Sequence, residues 1–302
     1  MNPPATAQRA SGPLVWLDMD QKALDDAYDQ VVYAPNRDQV HKRNEFNSDR
    51  VRARLGAPKR LSYGSKPIEQ LDLFATSKPN APINVFIHGG AWRTRHVKDF
   101  AFMAEMYVRA GAHWIGLDFD GVEATDGNLL PMADQIRRAF AWVYNNAKSF
   151  GGDPNRIYLS SHSSGGHFGG CVVTTDWKDY DVPNDIVKGA LLGSGMYDLK
   201  PVRLSKRSQY VAFTDEVEEK LSSIRRLDRL NCPLLVAHGT FETPEFQRQA
   251  RDFVAAVKKA GKPVTLLVGE GYNHFEMAEA LGNPLSFVGS PVLEQMKLTS
   301  QS

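Results

Sequence analysis

Short apolar runs alternate with amphipathic stretches along the chain from residue 61 onward. Runs typical of buried strands occur at residues 71–74, 84–87, 113–119, 157–159, 187–192, 232–237 and 264–268. Between several of them, residues 100–110, 132–150 and 246–260 place apolar side chains at helical spacing. Strands that alternate with helices in this way predict a mostly parallel central sheet with helices on both faces.

Two segments depart from this alternation. Residues 1–60 are highly charged and carry apolar side chains at helical spacing, so we expect an N-terminal helical arm. The arm is either a structural extension or a contact at a pocket entrance. Residues 195–230 are rich in Lys, Arg, Ser and Glu, and we expect a small lid or a solvated helical excursion there. We predict that residues 1–302 form a single domain.

Composition and charge narrow the classes of function. The 302 residues are 42% hydrophobic, and 36 Lys+Arg against 35 Asp+Glu leave a formal net charge of +1. This balance gives no argument for binding nucleic acid or an anionic membrane. Residues 1–12 are polar, no apolar run has membrane-spanning length, and the two cysteines lie in apolar runs. We therefore expect a soluble cytoplasmic protein without a disulfide framework; a homodimer is left open.

The turn around Ser163 is the main candidate for chemistry. The apolar run 157–159 leads into S-H-S-S-G-G at residues 161–166, after which a helix-like apolar pattern begins. A strand, sharp turn and helix of this kind hold the central serine at a strained backbone position with its hydroxyl exposed. Ser161 stands where the motif G-x-S-x-G has its first glycine, and a small residue still fits there. In isolation this pattern is more often a helix-capping turn, so the rest of the chain must decide.

A second candidate element follows the strand at residues 84–87, which ends at H-G-G-A-W. A glycine pair after a strand lets the backbone turn its N–H groups toward an oxyanion. We assign the N–H groups of Gly90, Ala91 and Ser164 as oxyanion donors. A plain tight turn is the alternative interpretation for the glycines.

Two further polar residues come after predicted strands later in the chain. Glu242 follows the strand at 232–237, and His274 follows the strand at 264–268. The order Ser163, Glu242, His274 matches the order of nucleophile, acid and base in serine hydrolases of the α/β class. We therefore predict these three residues as the catalytic groups.

Taken together, several motifs identify a likeness to one branch of this class. They are F-I-H-G-G-A-W at 86–92, S-H-S-S-G-G at 161–166, K-G-A at 188–190, G-M-Y-D-L at 195–199, T-P-E-F at 243–246 and N-H-F at 273–275. With them, and with similarity in the N-terminal segment, the chain resembles the kynurenine formamidase (arylformamidase) branch of the α/β-hydrolases over nearly its whole length.

The resemblance implies an α/β-hydrolase fold and hydrolysis of N-formylkynurenine, or of related aryl formamides or aryl esters, by a serine triad with no metal and no cofactor. It places the nucleophile at Ser163, the acid at Glu242, the base at His274 and the oxyanion loop at residues 88–91. The sequence departs from the family at two positions. Glu242 stands where Asp is usual, and the elbow carries Ser161 and Ser164 where the family usually reads G-H-S-A-G.

Substrate contacts and other functions are open at this stage. Trp92 and His96 are candidates to line the pocket against an aromatic ring, and Tyr197 is a third; core packing is the alternative for Trp92. Histidines and cysteines lack the spacing of known metal motifs, so no metal is expected. The partner we expect is a small amide or ester. Cleavage of a carboxylester or carbamate is the alternative reaction, and a binding protein that has lost the chemistry is the alternative class.

Overall fold

The computed structural model describes residues 12–298. Residues 1–11, which make up most of the stretch in which we expected no secretory signal, lie outside it, as do residues 299–302. The strands are β1 (Leu14–Trp16), β2 (Met19–Asp20), β3 (Lys59–Ser62), β4 (Gln70–Phe74), β5 (Ala81–Ile87), β6 (His113–Leu117), β7 (Gly152–His162), β8 (Val187–Gly193), β9 (Leu234–Gly239) and β10 (Val264–Gly269). The α-helices are α1 (Gln21–Ala27), α2 (Gln30–Tyr33), α3 (Arg37–Leu55), α4 (Ala104–Ala110), α5 (Leu129–Asn146), α6 (Ser164–Val173), α7 (Leu199–Leu204), α8 (Asp215–Leu221), α9 (Pro244–Lys259), α10 (His274–Ala280) and α11 (Gly289–Gln295).

Eight strands form the central sheet in the order β10-β9-β8-β7-β5-β6-β4-β3. Neighbouring strands from β10 to β6 are parallel. At the other edge β4 and β3 run antiparallel to their neighbours. The prediction of a mostly parallel sheet is confirmed, and the antiparallel edge is an addition to it.

Helices cover both faces of this sheet, because its central strands are apolar on both sides. All seven residues of β5 are buried. Val85 and Phe86, which are consecutive residues of this strand, belong to two different core clusters. The cluster of Val85 includes Phe140 of α5, and that of Phe86 includes Tyr107 of α4. Continuous apolar runs of this kind are typical of parallel sheets with two covered faces.

The N-terminal arm holds three helices, α1 to α3, and also a short hairpin formed by β1 and β2 that we did not predict. It packs on the main domain through polar contacts as well as apolar ones. The Tyr28 hydroxyl donates a hydrogen bond to Glu245 of α9 at 2.9 Å. The Asn273 side chain, just before α10, donates to Asn36 of the arm at 2.8 Å.

Residues 195–230 form α7, α8 and several short 3₁₀ turns. This segment is less solvated than its composition suggested, because Met196, Tyr197 and Leu199 are buried in the main core. It contacts the arm: the Arg207 guanidinium donates to the Tyr28 carbonyl at 2.9 Å. Within residues 12–298, no helix combines the length and the apolar character needed to cross a bilayer.

Candidate active site

Ser163 lies in the sharp turn between β7 and α6. Its backbone has φ 60° and ψ −125°, a conformation that residues with a side chain rarely adopt. The surrounding structure compensates for this strain, since the Ser163 N–H donates to the Gly193 carbonyl on the neighbouring strand at 2.9 Å. The predicted strand, turn and helix are therefore present, and the serine occupies the strained position.

Close backbone packing around the turn explains its small residues. A Cβ atom on Gly165 would lie 2.2 Å from the Ile87 carbonyl oxygen, and one on Gly89 would lie 2.8 Å from the Ser163 Cβ. Neither glycine has room for a side chain. Helix α6 and the loop after β5 thereby approach closely enough to form one site.

The structure brings Ser163, Glu242 and His274 together in one line of hydrogen bonds. Nε2 of His274 lies 2.8 Å from the Ser163 hydroxyl oxygen. Nδ1 of the same ring lies 2.7 Å from a carboxylate oxygen of Glu242. An ionised carboxylate only accepts, so Nδ1 carries the hydrogen and Nε2 is left to accept from the serine. This arrangement can deprotonate the hydroxyl as its oxygen attacks a carbonyl carbon.

The Glu242 side chain is completely buried, yet its carboxylate has several donors. Its second oxygen accepts from the Gly239 N–H at 2.8 Å and from the Ser194 hydroxyl at 2.7 Å. Burial alone would raise the pKa of this carboxyl, but the hydrogen bond and charge of His274, together with these two donors, hold the pKa below its usual value. Glu242 is therefore ionised at neutral pH and can orient His274.

His162, next to the candidate nucleophile, contacts the backbone of the candidate base. Its Nε2 lies 2.8 Å from the His274 carbonyl oxygen and must donate, because a carbonyl only accepts. Burial, and after it the neighbouring His274 ring, lowers the pKa of His162 to about 3. His162 is thus a neutral side chain that holds the first residue of α10 in place.

Of the three proposed oxyanion donors, Gly90 and Ala91 line the same cavity as Ser163, and Ser164 follows Ser163 in the chain. Gly90 and Ala91 have positive φ angles of 124° and 55°, in a turn where the N–H groups of Arg93 and Thr94 donate to the Gly90 carbonyl. Only glycine fits at position 90, because a Cβ would lie 1.9 Å from the Thr94 carbonyl oxygen. Ser164 is the first residue of α6, and its hydroxyl accepts from the Trp92 N–H at 3.2 Å. This bond joins the loop to the helix N-terminus, where free N–H groups favour negative charge.

A cavity of about 300 Å³ opens beside the triad, and Ser163, His274, Gly90 and Ala91 form part of its wall. The rest of the wall comes from other parts of the chain: Tyr28, Gln30 and His41 of the arm, Arg95 of the loop after β5, and Arg207 and Tyr210 of the 195–230 segment. A cavity of this size suits a small molecule.

The structure corrects our placement of Trp92, His96 and Tyr197, none of which lines this cavity. Trp92 is buried, and its indole N–H donates to His167 at 3.2 Å. This agrees with core packing, the alternative that we gave for this residue. Tyr197 is fully buried, with its ring 4.2 Å from that of Phe253. His96 keeps 58% of its side chain exposed. These three residues lie close to the site motifs in the sequence. Tertiary packing, however, decides in which direction each side chain points.

Three polar side chains of the cavity wall were not predicted from the sequence: Gln30 of the arm, Arg95 of the loop after β5 and Arg207 of the 195–230 segment. Their local patterns resemble those of solvated helices, and no short motif marks them. The one relevant signal was the suggestion that the arm reaches a pocket entrance. Among the described residues, no group of three or more His, Cys, Asp or Glu side chains is arranged to hold a metal ion.

Comparisons with known proteins agree with this architecture. A family model described as BD-FAE matches residues 71–188. Kynurenine formamidase of Danio rerio is 29% identical over 88% of this chain and 93% of its own length. Esterase LipC of Mycobacterium tuberculosis is 28% identical over 68% of this chain, which spans 56% of that esterase. A crystal structure from Silicibacter sp. aligns with a TM-score of 0.77 and 23% identity, covering 88% of this chain and 97% of that one.

These likenesses agree on fold and on class of enzyme. The solved structure supports the fold alone, whereas both relatives are hydrolases by name. The protein is therefore a hydrolase with the α/β-hydrolase fold, and it is similar in sequence to kynurenine formamidase over most of its length.

Proposed function

We propose that the protein hydrolyses a small aryl formamide, such as N-formylkynurenine, through an acyl-enzyme formed on Ser163. The observation that carries this proposal is the buried chain of hydrogen bonds from Glu242 through His274 to the Ser163 hydroxyl, at the wall of a small cavity. A chain of groups in this order can activate a serine hydroxyl. The kynurenine formamidase of Danio rerio, similar over most of both chains, supports the choice of formamide.

In the first half of the reaction, Nε2 of His274 takes the Ser163 proton as the oxygen attacks the formyl carbon. The carbonyl oxygen becomes negatively charged, and the N–H groups of Gly90, Ala91 and Ser164 are the donors we assign to it. Removal of one such donor typically costs about 10²-fold to 10³-fold in kcat. His274 then passes its proton to the aryl nitrogen, and the carbon–nitrogen bond breaks.

The second half of the reaction releases formate. A water molecule gives a proton to Nε2 of His274 and attacks the formyl carbon of the acyl-enzyme. Collapse of the second tetrahedral intermediate breaks the bond to the Ser163 oxygen, which recovers its proton from His274. Glu242 remains ionised throughout and stabilises the imidazolium that forms twice in the cycle.

Cleavage of an ester is the second candidate function, because one relative is an esterase, LipC. The same groups would act on an ester or carbamate carbonyl without change in their roles. A binding protein without chemistry would not need Ser163, His274 and Glu242 in hydrogen-bonding distance. A cytoplasmic location and a homodimeric assembly stay predictions.

The proposal is tested by comparing kcat/KM of wild type and Ser163→Ala on N-formylkynurenine, a short-chain aryl ester and an aryl carbamate. We expect the highest value on the formamide and a loss of roughly 10⁶-fold in kcat for the variant. Ser149→Ala is the matched control, because Ser149 is an exposed serine after α5 that does not line the cavity. Preference for the ester or carbamate would reassign the substrate. Retained turnover in Ser163→Ala would contradict the proposed mechanism.

A further inference from the structure

Asn36 of the N-terminal arm contacts the start of the helix that carries the candidate base. This helix, α10, begins at His274, and Asn273 is its N-cap residue. The side-chain nitrogen of Asn273 donates to the Asn36 side-chain oxygen at 2.8 Å, and the Asn36 nitrogen donates to a carboxylate oxygen of Glu276 at 2.8 Å. Asn36 therefore holds two side chains of the first turn of α10 from a position 237 residues earlier in the chain.

The two side chains that Asn36 contacts are also bonded to the backbone of α10. The Asn273 oxygen accepts from the N–H groups of Phe275 and Glu276 at 3.0 Å and 3.2 Å. The second Glu276 oxygen accepts from the Asn273 N–H at 3.0 Å. This reciprocal capping box fixes the first turn of a helix. Because the helix uses the Asn273 oxygen, the Asn273 nitrogen faces Asn36, and each contact in the network joins a donor to an acceptor.

The Asn36 side chain makes these contacts instead of its usual local one. Asn36 is the N-cap residue of α3, and an asparagine at this position commonly accepts a hydrogen bond from the first turn of its own helix. Here the side chain makes no capping hydrogen bond to α3, a helix that the structure describes in full. Capping of α3 therefore does not explain the orientation of this side chain, whereas the contact with α10 does.

The arm also contacts the chain next to the candidate acid, which is an independent observation. Thr243 directly follows Glu242 and is completely buried. Its hydroxyl donates to the carbonyl of Ala27, the last residue of α1, at 2.6 Å. The same arm thus holds the residue after the acid and the residue before the base. It is anchored on both sides of the hydrogen bond between the two catalytic candidates.

We propose that Asn36 is a positioning residue for the reaction, because it fixes the first turn of α10 and with it the His274 ring between Ser163 and Glu242. The inference rests on the proposed hydrolysis at Ser163 and deepens it. Asn36 lies outside the cavity wall formed by the described residues, so it acts through Asn273 and not on the substrate. Displacement of a reacting group by about 1 Å can lower a rate by about 10²-fold. The arm thereby contributes to catalysis as well as to the cavity wall.

The first test is steady-state kinetics of Asn36→Ala on N-formylkynurenine and on a short-chain aryl ester. We expect kcat to fall about 10-fold to 100-fold on whichever substrate is cleaved, with KM nearly unchanged, because the base is displaced and the cavity is not. Circular dichroism at the assay temperature shows that the variant is folded. A folded Asn36→Ala with the kcat of wild type would overturn the positioning role.

Arg43→Gln is the matched control for this test. Arg43 pairs with Glu279 at 2.7 Å, so it joins the same two helices, α3 and α10, at a site outside the Asn36 network. Half of the Arg43 side chain is exposed, and the pair should add little to stability. Loss of this contact should leave kcat unchanged. An equal fall in kcat for Arg43→Gln and Asn36→Ala would mean that general docking of the arm matters and Asn36 does not, which would also overturn the inference.

A pair of substitutions tests the network itself. Asn36→Asp places a second carboxylate opposite Glu276 with no donor between them, so kcat should fall at least as far as in Asn36→Ala. Adding Glu276→Gln returns a donor to this contact, and the introduced amide oxygen can still accept from the Asn273 N–H. The double variant should regain most of the lost kcat. A folded double variant as slow as Asn36→Asp would contradict the proposed network.

The rate of labelling by a fluorophosphonate separates this inference from the proposed function, because the reagent needs an activated serine and no particular substrate. If wild type is labelled but cleaves neither substrate, the proposed substrate is wrong, and slower labelling of Asn36→Ala supports the positioning role. If wild type cleaves the formamide and Asn36→Ala is labelled at the wild-type rate, the reaction stands and the positioning role is wrong. Absence of labelling in wild type would overturn both.

Discussion

Glu242 uses its longer side chain to fold back over its own turn. Its N–H donates to the Gly239 carbonyl at 3.3 Å, and its carboxylate accepts from the Gly239 N–H at 2.8 Å. The backbone of residue 242 is thereby held close to the end of β9, while the carboxylate still reaches His274 at 2.7 Å. Glu has one methylene group more than Asp, which is usual at this position in the family that the chain resembles. This turn accommodates the extra methylene.

From this geometry we predict that Glu242→Gln lowers kcat by about 10⁴-fold, because a neutral amide neither stabilises the imidazolium nor fixes the orientation of the ring. Glu242→Asp keeps the charge but loses reach, so its loss should be smaller than that of the amide variant. The measurement is steady-state kinetics at neutral pH, with circular dichroism to show that both variants fold. A Glu242→Gln enzyme within tenfold of wild type would mean that this carboxylate has no role in the reaction.

Among the elements, the contact between α6 and the loop after β5 determines where Ser163, the proposed nucleophile, lies. Gly165 lies at this contact, and a Cβ there would lie 2.2 Å and 2.5 Å from the carbonyl oxygens of Ile87 and His88. These neighbours are backbone atoms of the last residue of β5 and of the residue after it, and they cannot move aside cheaply. The helix would have to shift instead, and Ser164 would move with it.

We therefore expect Gly165→Ala to destabilise the protein by about 1–3 kcal/mol, a typical cost of overpacking, and to lower kcat on any substrate. Gly12→Ala is the matched control, because the nearest atom to a Cβ at that position is an ordinary contact at 3.8 Å. Urea unfolding and steady-state kinetics measure the two effects. Unchanged unfolding and activity in Gly165→Ala would show that the helix does not need this close approach.

Local patterns predicted the serine turn and every strand of the central sheet except the edge strand β3, because apolar runs and small residues are local signals. They missed the β1–β2 hairpin. Its residue Leu14 is 61% exposed, so the hairpin lacks the alternation of buried apolar and exposed polar side chains that marks a strand. They also missed that His274 begins α10 and that the arm reaches this helix through Asn36. Contacts between residues more than 200 positions apart leave no trace in a short window of sequence.

At the scale of the whole molecule, the candidate triad could be predicted because its chain order and its position after strands follow from the fold class. The cavity wall could not, since Arg207 and Tyr28 meet only when the 195–230 segment packs on the arm. The same limit explains why Tyr197 was expected at the substrate and is instead in the core. Reaction class is thus readable from motifs, whereas substrate choice depends on packing between distant segments.

Buried neutral histidines make the stability of the molecule depend on pH. His162 and His167 are fully buried, and burial lowers the pKa of each from 6.5 to about 3. Below pH 6.5 the unfolded chain therefore binds protons that the folded protein does not. Stability is fully present above this value and falls as the pH drops toward the folded-state pKa.

As the pH falls from about pH 6 to pH 5, each such histidine should lower the free energy of unfolding by about 1.4 kcal/mol per pH unit. His162→Gln keeps a donor for the His274 carbonyl but cannot titrate. The slope of the free energy of unfolding against pH should therefore decrease by the contribution of one histidine. Urea unfolding across this pH range measures both slopes. Identical slopes in wild type and His162→Gln would mean that residue 162 is protonated in the folded protein.

The measurement that tests the central claim most directly is covalent labelling with a fluorophosphonate, read by intact mass and peptide mapping. If His274 activates Ser163 as proposed, wild type gains one adduct, on Ser163, and Ser163→Ala gains none. His274→Ala keeps the hydroxyl without its base and should react far more slowly. An adduct on another residue, or equal labelling of wild type and His274→Ala, would contradict the account.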